Sequence, residues 1–415
     1  MVNKKAVFFW NMMGSLTNAA ASVILLMAVT RSCGAAVGGV FSIAFAIAQL
    51  MLTIGGYEMR PYQSTDVTEQ FSFRHYFTSR LFTCFLMLLT SSCIILFSGY
   101  TGPKAAAIFL MCAYKMVDAL SDVFHGMFQQ KERLDLAGKS LAIRTVLSTT
   151  AFCVVIYMQH SLVLATAVAL VVALGWFFAY DLSCISFFTA VRISSDWKTV
   201  SRLLMVCLPL FAGSFMLMYI FNAPKYAMER FMAPEYLTYY NILFMPASVI
   251  NLFSIFLFRP LLTTLASSWI ENDRKRFLSI VSLLVFWILI VTAGAVAAAY
   301  FLGIPVLSWL YAEDLSAFRP ELLMVMFGGG LSAASTILYY VITVMRRQFS
   351  LLIGYGITCA LSLFLAPLMV RGYGIRGAAL SYIIAMAVQL LAFLTLFLFH
   401  LKRSSVPGKK EEAHG

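Results

Sequence analysis

Long apolar runs separated by short polar connections make up most of the chain. They cover residues 8–29, 35–54, 77–97, 105–127, 141–158, 161–180, 203–221, 237–258, 277–302, 322–344, 351–370 and 378–399. A helix that crosses a bilayer needs about 20 mostly apolar residues, so the pattern predicts twelve transmembrane helices. The runs are continuous rather than alternating, which favours helices over a membrane barrel, whose strands are short and apolar on one face only. The first run follows Lys4 and Lys5 as a signal peptide would. Its apolar part exceeds the roughly 7 to 15 residues of such a segment and further spans follow, so it reads as a retained helix.

One run breaks the pattern. In "YKMVDALSDVFHG" (114–126), Lys115, Asp118, Asp122 and His125 are spaced three, four and three apart, which puts them on one helix face with Ser121. Lys or Asp at mid-span costs about 2.5 to 3.5 kcal/mol each on an insertion scale, so the stripe must face protein or water. Lys115 lies near the midpoint of its run, and Asp122 lies ~10 Å closer to the cytoplasm at ~1.5 Å per residue. Lys115 can pair with Asp118, which leaves Asp122 without a cation on its own helix and predicts that the two carboxyl groups share a proton. The alternative is an ion-pair network that only holds helices together. Intramembrane charges usually mark a pathway, which favours cavity lining or proton coupling. His125 reads as an interfacial hydrogen-bonding residue.

Composition agrees with a membrane protein: 61% of the 415 residues are hydrophobic and 12% charged, more apolar surface than one soluble core could hide. The net charge of +12 suggests nucleic acid until its distribution is considered. With a cytoplasmic N-terminus, 22 of the 30 Lys and Arg residues fall in inner segments, so both termini are expected inside and the charge is topogenic. The eight cysteines form no CxxC pair and read as packing residues. No Asn-x-Ser/Thr sequon, GxxxxGK[ST] loop or HExxH helix occurs, and the scattered histidines give no metal site. Loops are too short for a soluble catalytic domain, and no large outer loop is present for a polymerase. A non-enzymatic role is expected.

The chain also matches itself. A shift of 199 residues places Gly14-Ser15 on Gly213-Ser214, Arg31 on Arg230, and Arg60-Pro61 on Arg259-Pro260, with Ile43/Ile242, Phe45/Phe244 and Ala48/Ala247 between. Six spans followed by six that start on the same side predict a parallel repeat about an axis along the membrane normal. The expected organisation is a six-helix lobe over residues 1–198, a second over 199–400, and a disordered cytoplasmic tail over 401–415. Arg31 and Arg230 fall at the outer ends of their spans, and Arg60 and Arg259 at inner ends. A guanidinium fork suits phosphate or pyrophosphate recognition, and ordinary snorkelling explains such positions nearly as well. Lys225, in "NAPKYAMERF" (222–231), adds a further outer cation. Pro209, Pro246, Pro367 and the glycines 328–330 mark places where spans could bend or pack closely.

Taken in order, "TRSCGAAVGGVFSIAFA" (30–46), "MRPYQSTD" (59–66), "QQKERLDLAGKSLAIR" (129–144), "NAPKYAMERF", "FMPASVINLFSIFLFRPLL" (244–262) and "GIRGAALS" (374–381) resemble the polysaccharide or O-unit flippase branch of the multidrug/oligosaccharidyl-lipid/polysaccharide exporter superfamily. The resemblance implies an all-α integral membrane protein of two six-helix lobes related by a pseudo-two-fold, with a V-shaped cavity between them. It implies movement of undecaprenyl-pyrophosphate-linked oligosaccharide from the inner to the outer leaflet of the bacterial cytoplasmic membrane by alternating access. The pathway would be surface polysaccharide biosynthesis, such as that of lipopolysaccharide O-antigen. Its partners would be that lipid, membrane lipids and other polysaccharide-assembly membrane proteins, and it would use no nucleic acid and no cofactor beyond a coupling H+ or Na+. By position, Arg31, Arg60, Arg230 and Arg259 would engage the pyrophosphate, with Lys225 and Lys115 as further cations. Related multidrug exporters carry a cation-coupling carboxylate in the first span, where this chain offers only Asn11 and Asn18. Peptidoglycan-precursor flippases usually have fourteen spans. Lys115, Asp118 and Asp122 match no shared motif, and their cavity-lining role is read from the residues alone. A cation-coupled multidrug exporter of the same fold is the alternative. The charge bias makes one direct prediction: a fluorescent protein fused to the C-terminus should fluoresce, and a periplasm-active reporter at the same place should stay silent. The reverse result would invert the topology.

Overall fold

The computed structural model describes residues 4–66, 69–258, 261–271, 273–345 and 347–403, and helices are the regular structure among them. They are α1 (Lys4–Gly56), α2 (Met59–Thr65), α3 (Phe73–Phe97), α4 (Gly102–Gln130), α5 (Leu134–Gln159), α6 (Leu162–Trp176), α7 (Leu182–Ile185), α8 (Trp197–Phe231), α9 (Pro234–Phe258), α10 (Leu262–Ile270), α11 (Arg274–Ala298), α12 (Ile304–Tyr311), α13 (Arg319–Val344) and α14 (Gln348–Arg403). Wide π turns at Phe177–Asp181 and Ala299–Gly303 join α6 to α7 and α11 to α12. Short helices α2 and α10 lie in the connections that follow the second and eighth spans. Of the expected disordered tail, residues 404–415 lie outside the described residues, as does Arg259.

Eight helical stretches are long and apolar enough to span a membrane. Two of these, Ala6–Thr65 and Phe349–Lys402, are 60 and 54 residues long, about twice what a bilayer needs. Each is interrupted at one glycine with positive φ, Gly34 (φ 80°, ψ 176°) and Gly374 (φ 57°, ψ −136°). A Cβ placed on Gly38 would lie 3.1 Å from Thr30 Oγ1, and one on Gly377 would lie 2.0 Å from the Met369 carbonyl oxygen. Residues eight apart in a continuous helix are ~12 Å apart, so the chain doubles back at both glycines and each long helix is two spans. With α4 (29 residues) and α9 (25 residues) the described chain has twelve spans, as the apolar runs predict. The protein is therefore an all-α, multi-pass integral membrane protein. The non-helical residues inside α1 and α14 are these glycines, not the prolines singled out in sequence.

Contacts divide the described chain into two compact units, residues 1–242 with 306–315, and residues 243–305 with 316–415. Packing thus groups α8 and the start of α9 with the first unit. The repeat boundary after residue 198 is a separate matter of sequence equivalence. In the first unit α4 is central, in contact with α1, α2, α3, α5 and α6. Helix entry is set by caps: the Asp196 carboxylate accepts from Thr199 N (3.1 Å) and Thr199 Oγ1 (2.6 Å) at the start of α8, and these bonds hold its carboxyl below the usual carboxylate range. Asn241 Nδ2 donates to Ser42 Oγ at 3.1 Å, a pair separated by the 199-residue repeat offset. Equivalent positions of two copies can meet near a two-fold axis, and this bond joins two positions at that offset.

In the second unit the three glycines 328–330 serve packing. A Cβ on Gly328 would meet Tyr382, on Gly329 Ala247, and on Gly330 Thr292, so α14, α9 and α11 all press against α13. Rings fill the rest: Phe258 stacks on Tyr340 at 4.6 Å and Tyr355 meets Phe393 edge-on at 5.1 Å. Replacing Gly34 with alanine forces a side chain into a dihedral region that is essentially glycine-only, at a cost of order 1–3 kcal/mol. The thermal transition of the detergent-solubilised variant should fall accordingly, and an unchanged transition would contradict the one-residue turn.

Candidate functional site: a charged network inside the first unit

The least apolar span is the one that must be hidden, and α4 is buried over most of its length. Its face of Lys115, Asp118, Ser121, Asp122, His125 and Gln129 turns toward α2, α3, α5 and the π turn after α6. Lys115 Nζ donates to Asp118 Oδ2 at 2.9 Å and sits 5.4 Å from the Phe45 ring centroid. Asp118 Oδ1 also accepts from Arg144 Nη2 at 2.8 Å, and Arg144 Nη1 donates to Ser121.

Asp122 is not short of cations. Arg60 Nη1 donates to its Oδ1 at 3.2 Å, and Arg80 Nη2 donates to its Oδ2 at 3.0 Å. Asp122, which has no cation on its own helix, thus takes two from other helices, which replaces the picture of a carboxylate left without a positive partner. Spacing along α4 shows only partners on α4, and these guanidiniums come from α2 and α3. Arg80 is fully buried; its Nη1 donates to the Gly55 carbonyl at 2.6 Å, and Thr83 Oγ1 donates to the same oxygen at 2.8 Å. Arg60 differs: its side chain is 30% exposed, and Nε donates to Gln129 Oε1 at 3.2 Å.

Two residues with φ 49°, Tyr57 and Glu58, lead from α1 into α2 and aim Arg60 at α4. Such non-glycine backbone is held only where surroundings fix it. Here Tyr57 stacks on Phe211 at 4.4 Å, and Ser214 Oγ donates to Glu58 Oε1 at 2.7 Å, both from α8. A Cβ on Gly126 would overlap Gln63 Oε1 at 2.2 Å, so glycine on α4 is what lets α2 lie flat against it.

The network therefore brings together Lys115, Asp118, Asp122 and Arg60. The other expected residues stand elsewhere. Arg31 donates from Nε to the Leu310 carbonyl (2.8 Å) and from Nη2 to the Trp309 carbonyl (2.6 Å), a cation on the C-terminal end of α12. Arg230 is exposed over the Phe231 ring at 5.5 Å, Lys225 is buried within α8, and Asn11 and Asn18 lie exposed on α1. Sequence reasoning did not select Arg80, Arg144 or Asp181. The first two were counted among topogenic cations although each is the fourth residue of its apolar run, one turn inside the membrane. The stretch 129–144, one of the motifs that carry the resemblance, ends in the buried Arg144. Asp181 follows its run by one residue and so reads as an ordinary interfacial acid.

No family model matches the chain. It is 20% identical over 293 residues to the capsular polysaccharide biosynthesis protein CapF of Staphylococcus aureus, covering 69% of this chain and 73% of that protein. Among solved structures, the lipid II flippase MurJ in an inward closed conformation superposes with a TM-score of 0.70 at 14% identity, covering 97% of this chain and 93% of that one. An inward-facing MATE-family multidrug resistance transporter of the MOP superfamily gives 0.63 at 14% identity, covering 96% and 98%. The Vibrio cholerae MATE transporter VcmN gives 0.60 at 14% identity, covering 97% of both chains. Near-complete coverage of both chains at these scores shows that the chain has the fold these solved transporters share.

Proposed function

We propose that the protein is a flippase for lipid-linked oligosaccharide in surface polysaccharide assembly, working without ATP by alternating access in the bacterial cytoplasmic membrane. The observation that carries this reading is Arg60, an accessible guanidinium within a protein-lined network, held by a carboxylate that a phosphate could replace with the same fork geometry. The curated relative acts in capsular polysaccharide biosynthesis, and one of the superposed structures is a lipid II flippase. An undecaprenyl pyrophosphate carrier is the substrate this reading favours, with two six-helix lobes, cytoplasmic termini and other polysaccharide-assembly proteins nearby. The Arg31, Arg230, Arg259 and Lys225 positions remain proposed contacts for the anionic headgroup at the two membrane faces, with Arg31 first having to leave the α12 carbonyls.

The second reading is a cation-coupled multidrug exporter, supported by MATE structures that superpose almost as well. An exporter of organic cations wants an acidic, aromatic pocket. In the network among the described residues, Asp118 and Asp122 each already face two cations. Overexpression that raises resistance to cationic drugs, with no effect on surface glycan, would select this reading.

Two substitutions separate binding from scaffolding. Arg60→Ala should lower outer-leaflet appearance of labelled lipid-linked glycan about tenfold or more, the equivalent of one charge-assisted bond of ~1.5–3 kcal/mol, and pairing it with Arg259→Ala should abolish it. Because Arg60 is partly exposed, its loss should cost only ~0–1 kcal/mol of stability. Arg80→Ala strips a fully buried partner from Asp122 and should destabilise by ~3–5 kcal/mol. Unchanged glycan transport in the Arg60→Ala, Arg259→Ala double variant at normal protein levels would remove the arginines from the mechanism, and equal melting of the two single variants would refute the division of roles.

A further inference from the structure

Asp181 is the anomaly of the network. It is fully buried, and neither of its carboxylate oxygens has a hydrogen-bond partner among the described residues. Its nearest cationic groups are His125 Nε2 at 3.5 Å and Arg144 Nη1 at 3.8 Å. Asp118 and Asp122 by contrast hold partners at 2.8 to 3.2 Å. A buried, undersatisfied carboxylate is costly and calls for an explanation in function or in a missing ligand. Asp181 closes the π turn Phe177–Asp181, the kind of irregularity that re-aims side chains at functional sites. His125 Nε2 is likewise buried and without a hydrogen bond among the described residues.

We propose that His125 and Asp181 form a proton-binding site that couples this transporter to the proton gradient. The assignment rests on the transporter reading for its consequence, not for its chemistry. The ligand is a single proton from hydronium: one O–H bond breaks as the imidazole lone pair forms N–H, leaving water, and the reverse step returns the proton to water on the opposite side of the membrane. A sodium ion fits poorly: hard cations want several oxygen ligands, and a guanidinium 3.8 Å from the only carboxylate would repel one.

Arg144 carries the effect outward. It is shared between Asp118, at 2.8 Å, and Asp181, at 3.8 Å. With a neutral imidazole, Arg144 is the sole full positive charge facing Asp181. With an imidazolium in place, Asp181 is satisfied by His125, and Arg144 is released to Asp118, where it competes with Lys115. The proton therefore alters the pairing of the partly exposed Asp118. The groups around Asp181 are His125 from α4, Arg144 and Ser140 from α5, and Tyr180 and Cys184 from its own segment, with Arg133, Asp135 and Lys139 of the α5 region at the rim.

The test uses the full chain in lipid nanodiscs with histidines labelled at nitrogen, followed by NMR from pH 5 to 8. His125, assigned by its loss in His125→Gln, should titrate in this range. Its midpoint should move by about one pH unit or more in Asp181→Asn, the size of a lost neighbouring charge. Asp181→Glu keeps a carboxylate and should retain a titration close to that of the wild type, and it serves if the asparagine variant does not fold. In the same variants, glycan translocation should depend on pH in the wild type and lose that dependence in Asp181→Asn. A His125 that does not titrate, or titrates identically in Asp181→Asn, overturns the proposal. The NMR readout needs no substrate: shifted titration in a chain that moves no lipid-linked glycan would reject the flippase and keep the proton site.

Discussion

Ionised side chains cannot lie against acyl chains, and α4 carries three of them with a histidine. This constraint organises the first unit. The charged helix takes the middle position, α1, α2, α3, α5 and α6 pack around it, and the apolar faces of the outer helices are left for lipid. Desolvation costs several kcal/mol per ion and is recovered only where the pairing geometry is good. Asp118 and Asp122 meet that condition with two cations each. Asp181 does not, and the incomplete pairing is what gives it a chemical rather than a purely structural reading.

The backbone solves a second problem with few residues. Hairpins between spans in α1 and α14 are made by Gly34 and Gly374, whose dihedrals other residues adopt only under strain. Both lie in stretches that resemble the flippase branch, "TRSCGAAVGG" and "GIRGAALS", so the glycines of those stretches are explained by close turning and packing. The Ser42–Asn241 bond joins two positions separated by the offset of the sequence self-match. The charge is distributed without that symmetry: α4, its partners and Asp181 all belong to the first unit.

Fold and function separate at this point. Coverage of whole chains at 14% identity shows a fold that a solved flippase and solved drug exporters share. The distinction between them has to come from the chemistry of the site, and the proposed anionic headgroup rests there on the partly exposed Arg60 beside a paired Asp122. Arg31, expected to play the same part, is held by the carbonyl end of α12. One cation of the repeat-related set thus has a structural occupation in this conformation.

Sequence alone determined the number of spans, the helical class and the existence of a polar stripe on the fourth span. Apolar run length and 3.6-residue spacing are local properties that the bilayer reads directly. Sequence could not determine what the stripe faces. Arg60, Arg80, Arg144 and Asp181 come from four other elements, and the two guanidiniums that bind Asp122 lie 62 and 42 residues before it in the chain. Such pairing depends on helix rotation and on a π turn, which no short spacing encodes. Only the tertiary structure decided which charges meet, because a buried ion takes its partner from whichever helix packs against it.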